Sequence, residues 1–429
     1  MQMIRRSTAI APIVVLLLAA SAGCAPTSRP KSETSLSAHG GPADPFARES
    51  HGLSSSTVTS SDGVVLLQTE SSGEPEIHSA DGAYALTVPI GSAAPIKCSI
   101  HPDVEPVAVA IAGIYASLGA EPAERRLLAI EPVVLLDRPA LYVEVGTVKH
   151  TTEGTLVSTG KIEAFTIGGG GTAWCSHPEN GYRETFRRVV AGIAGTLRLS
   201  VEGSPLLRAV PKVQQISVQR IGTTPLGVSE QREYLMENGG TVVLDRSLQV
   251  VPRGNPPVLA ARDYSEIEVS GTDGIVTLAD ALVVTTQDGS AVERHQWRLE
   301  RAAGGRYHVI DVTAGKGQAQ QPVADARPLP GSRQRRDLIR TEILSGQRAS
   351  LSVPIWDPSL APTGWQDPTY RLLSPSESGE RRVERTLATD KRILFYDASG
   401  CWVRSEPADP TIPTGYSERV FQRGSCSAD

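Results

Sequence analysis

Residues 273–312 run DGIVTLADALVVTTQDGSAVERHQWRLERAAGGRYHVIDV, and this stretch sets the architecture of most of the chain. Asp273-Gly274 precedes a β-rich run, Ile275 to Thr286. Asp288-Gly289 then turns the chain into Val292 to Arg301, and Gly304-Gly305 into Tyr307 to Val312. Asp-Gly and Gly-Gly pairs supply the positive backbone angles of tight hairpin turns, so three strands joined this closely predict an antiparallel meander. In Val292 to Arg301, His295, Trp297 and Leu299 fall on one face and Arg294, Gln296 and Arg298 on the other. That alternation puts one face against a core and the other toward water.

Working outward, Thr241 to Val251 and Tyr264 to Val269 are further strands, so residues 203–315 are expected to form an antiparallel β domain. Residues 316–337 interrupt the pattern with Gly, Gln, Ala and Pro followed by Arg333, Arg335 and Arg336, and are expected to be a solvated linker. Strand-like pieces recur in a β-rich C-terminal region, 338–429, which either completes the preceding sheet or stands apart. Upstream, residues 61–202 alternate strands with two helical stripes. One stripe is Pro106 to Leu118. The other is Tyr182 to Leu197, where Phe186, Val189, Val190, Ile193 and Leu197 recur at helical steps. The expected fold class is therefore α+β: an N-terminal α/β/α sandwich-like domain, then a mostly antiparallel β region. The 40 Gly and 31 Pro fit many turns and short strands.

The first 23 residues carry Arg5 and Arg6, an apolar run from Ile10 to Ala20, and then Ser21-Ala22-Gly23-Cys24. The apolar run is shorter than the roughly 20 residues a spanning helix needs, so residues 1–23 have the form of a signal peptide. Ser21-Ala22-Gly23-Cys24 resembles the lipobox of bacterial lipoproteins, with Ser21 where an aliphatic residue is usual. The resemblance implies cleavage before Cys24, lipid on its sulfur and attachment to a membrane. The attachment would be on the outer face of the plasma membrane, or the periplasmic side of an outer membrane. An ordinary secretory cleavage nearby, with Cys24 incidental, is the alternative. Residues 24–60 are rich in Ser, Thr, Pro, Gly and Ala without apolar periodicity, the composition of a disordered tether. Loss of residues 1–23 removes Arg5 and Arg6 and no acid, taking the net charge from -5 to -7. A mildly acidic protein is a poor partner for nucleic acid, whose binding rests on neutralising phosphates.

The order of elements in 61–202 resembles PsbP-like α/β/α sandwich domains. The opening strand Tyr84 to Pro89 has the form Tyr-x-Leu-x-Val-Pro, and the closing amphipathic helix is Tyr182 to Leu197. The resemblance implies a binding or assembly module. The run of strands beyond residue 203 is also similar to the curved sheets of LolA-like, lipid-carrying lipoproteins.

Beyond Cys24, four cysteines remain. Export favours disulfides, and two early and two late cysteines suggest the pairs Cys98–Cys175 and Cys401–Cys426. The competing reading is zinc held by Cys98, His101, Cys175 and His177, for which Cys-x-His is a poor spacing. His295, Trp297 and His308 could line a ligand pocket or serve as packed strand residues. Gly168 to Gly171 has no Lys-Ser/Thr after it, so it is no phosphate loop of the usual kind. No nucleophile elbow, zincin motif or calcium loop occurs. No catalytic residue, metal ligand or cofactor is therefore nominated. The leading expectation is a non-catalytic envelope module that binds a protein or an envelope component. The runner-up is a carrier of lipid or another apolar ligand, and an unrecognised envelope enzyme is third. A wide apolar cavity within 205–429 would favour the carrier, and a filled sandwich the binding module.

Overall fold

The structure is a computed structural model. It describes residues 52–101, 125–135, 138–149, 155–164, 172–177, 182–199, 210–251, 258–268, 274–287, 291–313, 319–322 and 327–426, apart from 238, 363 and 412–414. Cys24, the expected tether up to residue 51, the expected helix Pro106 to Leu118 and the Gly168 to Gly171 loop lie outside these residues.

Two sheets of unequal size dominate. The first has seven antiparallel strands: β3 (Glu76–Ala80), β4 (Ala83–Val88), β5 (Ile96–His101), β6 (Arg125–Leu135), β7 (Arg138–Lys149), β8 (Thr155–Ala164) and β9 (Thr172–His177). Their spatial order is β3-β4-β5-β9-β8-β7-β6. A three-stranded sheet, β1 (Ser54–Thr59), β2 (Val65–Ser71) and β10 (Arg198–Leu199), joins helix α1 (Arg183–Thr196) in packing on it. Val65 and Leu67 of β2, Leu86, Val88, Ile96 and Ile100 of the seven-stranded sheet, and Phe186, Val189, Val190 and Ile193 of α1 meet in one core. The apolar stripe of α1 is thus buried as its spacing predicts.

The expected α+β molecule with an α/β/α sandwich is corrected by this structure, which is mostly β with two helices described. An apolar stripe shows that a face is covered but not what covers it. Here β1, β2 and β10 share with α1 a place the sequence reading gave to helices. Neighbouring strands of this sheet all pair antiparallel, so it does not need the crossover after every strand that a parallel sheet requires.

The second sheet has fourteen strands. β11 (Val213–Ile221), β12 (Thr224–Leu235), β13 (Thr241–Val251), β14 (Val258–Glu268), β15 (Val276–Gln287), β16 (Ala291–Arg301), β17 (Tyr307–Asp311) and β18 (Ala319–Pro322) follow one another as a meander. The expected hairpins of 273–312 are β15 to β17, in register. Helix α2 (Ser332–Leu338) continues into a π-helical turn, Ile339–Leu344. Then come β19 (Ser350–Ser352), the short hairpin β20 (Ile355–Trp356) and β21 (Trp365–Gln366), and β22 (Thr369–Leu373). β23 (Arg381–Leu387), β24 (Asp390–Tyr396), β25 (Trp402–Pro407) and β26 (Tyr416–Arg423) complete the chain of elements. β26 pairs with β11, so the two meanders share one sheet, β18 through β11, then β26 through β22 to β19.

Strand parity assigns the two faces. Glu233, Val243, Glu266, Ala279, Leu299 and Val309 lie in one cross-strand row. Segment 327–366 covers this face. Leu329 and Trp356 join Ala279, Ala281, Leu299, Tyr307 and Val309 in one core, and Ile339, Ile343 and Leu344 join Tyr370, Val383 and Tyr396 in another. On the opposite face Ile216, Val218, Val228, Val242 and Leu248 are buried where β6 and β7 of the seven-stranded sheet approach β11, β12 and β13. Seven-stranded sheet, fourteen-stranded sheet and segment 327–366 therefore form successive layers.

Candidate functional site

The most unusual chemistry lies where α2 meets the large sheet. β14 alternates Tyr264, Glu266 and Glu268 on the covered face, and β12 adds Glu233. All three carboxylates are buried, which is rare without partners. The partners come from the helix. Gly331 and α2 present backbone N–H groups that have no intrahelical acceptor, and no side chain of the segment itself caps them. Glu266 Oε1 accepts from Ser332 N at 2.5 Å. Glu268 accepts from the backbone N–H of Arg333. Glu266 Oε2 accepts from the Tyr264 hydroxyl at 2.8 Å. Arg336 Nη2 donates to Glu233 Oε2 at 2.5 Å, and Arg333 Nη1 to Thr241 Oγ1 at 3.0 Å. The sheet thus supplies the cap that the helix lacks, and the positive helix end favours anions there.

The three acids are not equivalent. Glu266 and Glu233 each hold a donor on the oxygen described. Glu268 Oε1 is buried and accepts no hydrogen bond. Burial first, and then the neighbouring Glu266 and Glu233 charges, push the Glu268 carboxyl up to about 7 against the pull of Arg333. Tyr264 is held well above its usual range, first by burial and then by Glu266. Beside this seat Lys212, Glu233, Arg333, Arg336, Asp337 and Cys426 line a recess with room for about one water molecule.

Farther along the same face the hairpin β20–β21 lays Trp356 and Trp365 on aromatic residues of the sheet. Tyr264 and Trp356 are 6.3 Å apart and Tyr307 and Trp365 5.3 Å, by ring centroids. The Tyr307 hydroxyl donates to Val276 O at 3.0 Å and accepts from Leu329 N at 3.2 Å, tying the start of the covering segment to β15. Arg262 reaches Asp245 at 3.0 Å and Asp357 of the hairpin at 3.9 Å.

The residues singled out from sequence are distributed elsewhere. Cys98 and Cys175 are direct cross-strand partners on β5 and β9, joined as a disulfide with Cα atoms 4.0 Å apart. Cys401 and Cys426 form the second disulfide. Zinc at the first pair is displaced, since its sulfurs bond to each other. His101 Nε2 contacts Ser99 Oγ at 3.0 Å, and His177 Nε2 donates to Ala94 O at 2.9 Å. His295 lies near-parallel to Trp297 at 6.1 Å, and the ladder puts His308 on the opposite face, so the two do not share a pocket. Among the described residues no group of His, Cys, Asp and Glu is arranged to hold a metal, and no helix is long and apolar enough to cross a membrane.

Arg333 and Arg336 were expected in a solvated linker, and the structure corrects this: both are tied to the sheet. The carboxylate seat was missed because Glu-x-Glu in a strand is ordinarily a wet edge. The available signal was Glu266 and Glu268 sharing parity with Tyr264, followed by an arginine-rich helix without its own cap.

No protein-family model, no curated protein and no solved structure matches this chain. Fold and disulfides define the class: a β-rich, disulfide-bonded protein of a non-cytoplasmic compartment.

Proposed function

We propose that this chain is a lipid-anchored lipoprotein of the cell envelope whose folded part is a non-catalytic binding or assembly module for a protein or envelope partner. The lipobox-like Ser21-Ala22-Gly23-Cys24 and the polar composition of residues 24–53 support the anchor and its spacer, which is shorter than the expected 24–60 because Ser54–Thr59 is strand β1 and buries Val58. The observation that carries the module over the carrier is the filling of the sheet face. A carrier of apolar ligands needs an open apolar cavity there. In this chain Leu329, Trp356 and Trp365 pack against Tyr264, Ala279, Ala281, Leu299 and Tyr307 in that space.

The test of the anchor is metabolic labelling with palmitate. Label is expected in the wild type and not in Cys24→Ser, and equal labelling of both would reject the anchor. The test of the module is crosslinking in native membranes, followed by mass spectrometry of proteins and extracted lipids. A reproducible protein or envelope-polymer crosslink supports the reading. A stoichiometric lipid with no such partner rejects it in favour of the carrier.

A further inference from the structure

We propose that Glu268, pressed with Glu233 and Glu266 beneath Gly331 and the first turn of α2, is a pH-operated latch for residues 331–338. The argument begins with fit. A Cβ built on Gly331 would lie 1.8 Å from Glu268 Oε1, so the carboxyl rests directly against the backbone that leads into the helix. Gly331 N in turn donates to Gly274 O at 2.9 Å, which fixes the entry to the helix on β15's side of the seat.

Charge decides what the latch does. From the sheet, Glu233 of β12, Glu266 of β14 and the Tyr264 hydroxyl face Glu268 or its neighbour Glu266. From the helix come Arg333 and Arg336, while Arg335 donates to Ser332 Oγ at 3.0 Å. Asp337 and Lys212 stand at the recess beside them. Arg336 is committed to Glu233, and Arg333 is shared among Thr241, Asp337 and the field of Glu268. A neutral Glu268 fits this balance. An ionised one puts a buried charge on a bare oxygen beside Glu233 and Glu266, which the surroundings relieve by letting Gly331 and the first turn of α2 lift and admit water. The π-helical turn that follows is held separately, through Ile339, Ile343 and Leu344. Lifting is therefore local, of the low-free-energy kind that separates one element from the rest of a fold.

Hydrogen exchange of the full chain, corrected for the intrinsic pH dependence, tests this. Amides of residues 331–338 are expected to lose at least tenfold protection between about pH 5.5 and about pH 8.5, on either side of the Glu268 midpoint, while residues 339–344 change less. Glu268→Gln, isosteric and uncharged, is expected to stay protected at both pH values. Equal protection of the wild type at both, or the same loss in Glu268→Gln, overturns the latch. If Glu268→Gln fails to fold, the carbon-13 carboxyl titration of Glu268 in the wild type decides. A midpoint near 7 supports the latch, and one in the ordinary carboxylate range overturns it.

Discussion

At the scale of single residues, the seat beneath α2 makes two demands with opposite signs of effect. Gly331 has an ordinary φ of -66°, so its requirement is steric and not conformational. Gly331→Ala is expected to destabilise by about 1–3 kcal/mol, the usual cost of overpacking, because a Cβ meets Glu268 Oε1. In Gly331→Ala with Glu268→Ala the two losses should fall short of additive in a urea-unfolding cycle; strict additivity would place the clash elsewhere. Glu268 itself carries a raised carboxyl, so its ionisation favours the unfolded chain. Its contribution is full below the ordinary carboxylate value of 4.5 and fades as pH rises to about 7, a loss of up to about 3 kcal/mol that Glu268→Gln should abolish in pH-dependent melts. Asp397 is the reverse case. Burial would raise it, but Ser399, the Cys401 N–H and Arg419 outweigh burial and hold it below the ordinary range. Its stabilising effect is present above the ordinary carboxylate pKa and is lost as pH falls through the lowered one. Asp397→Asn should therefore be weaker than wild type by roughly 1–2 kcal/mol near neutrality, and the difference should close in acid.

At the scale of elements, the hairpin β20–β21 has only two cross-strand pairs, Ile355 with Gln366 and Trp356 with Trp365. So short a ladder is not stable by itself, and the hairpin stays in place because its two indoles pack on the sheet. Trp356, only 6% exposed, should cost about 3–5 kcal/mol on truncation to Ala, with loss of near-ultraviolet dichroism from the cluster. Trp365 is half-buried and should cost less. An equal or larger loss at Trp365 would show that the hairpin is held from its other strand. The Cys401–Cys426 bond closes a loop with a sequence separation of 25 that contains β25 and β26. Replacing both cysteines with serine should lower stability by roughly 3 kcal/mol, and non-reducing peptide maps of the wild type should recover this pair together with Cys98–Cys175. Strands β13 to β17 and helix α1 were legible because each is specified by its own residues, period-2 runs punctuated by Asp-Gly and an apolar stripe at helical steps, whereas β11, β12 and β18 were not singled out. The hairpin was not legible, because two-residue strands carry no period.

At the scale of the whole molecule, the pairing of β11 with β26 joins strands some two hundred positions apart and makes one sheet of two meanders. Segment 327–366 then lies over both, with α2 seated on β12 and β14 and the π-helical turn packed against β22 and β23. A fragment of residues 203–337 would leave the β11 edge unpaired and the aromatic face bare. It is expected to lack a cooperative unfolding transition and to aggregate, as uncovered edges do, whereas residues 52–429, which keep both meanders and the seven-stranded sheet packed on β11 to β13, should fold and stay monomeric. A well-folded, monomeric 203–337 fragment would show that the two meanders are independent.

The sequence by itself determined the local alternation of the strands, the stripe of α1, the hairpins of 273–312, and a cysteine distribution with one pair in each half. Each of these follows from neighbours close in the chain, where backbone geometry dictates which side chains share a face. Only the tertiary structure decided that strands and not helices dominate the N-terminal layers. It alone decided that β11 and β26 meet, and that Arg333 and Arg336 serve a buried carboxylate seat instead of a solvated linker. Those outcomes depend on which distant surface covers an apolar face or satisfies a buried charge. Burial and partnership of that kind arise from contacts far apart in sequence, to which local residue patterns carry no reference.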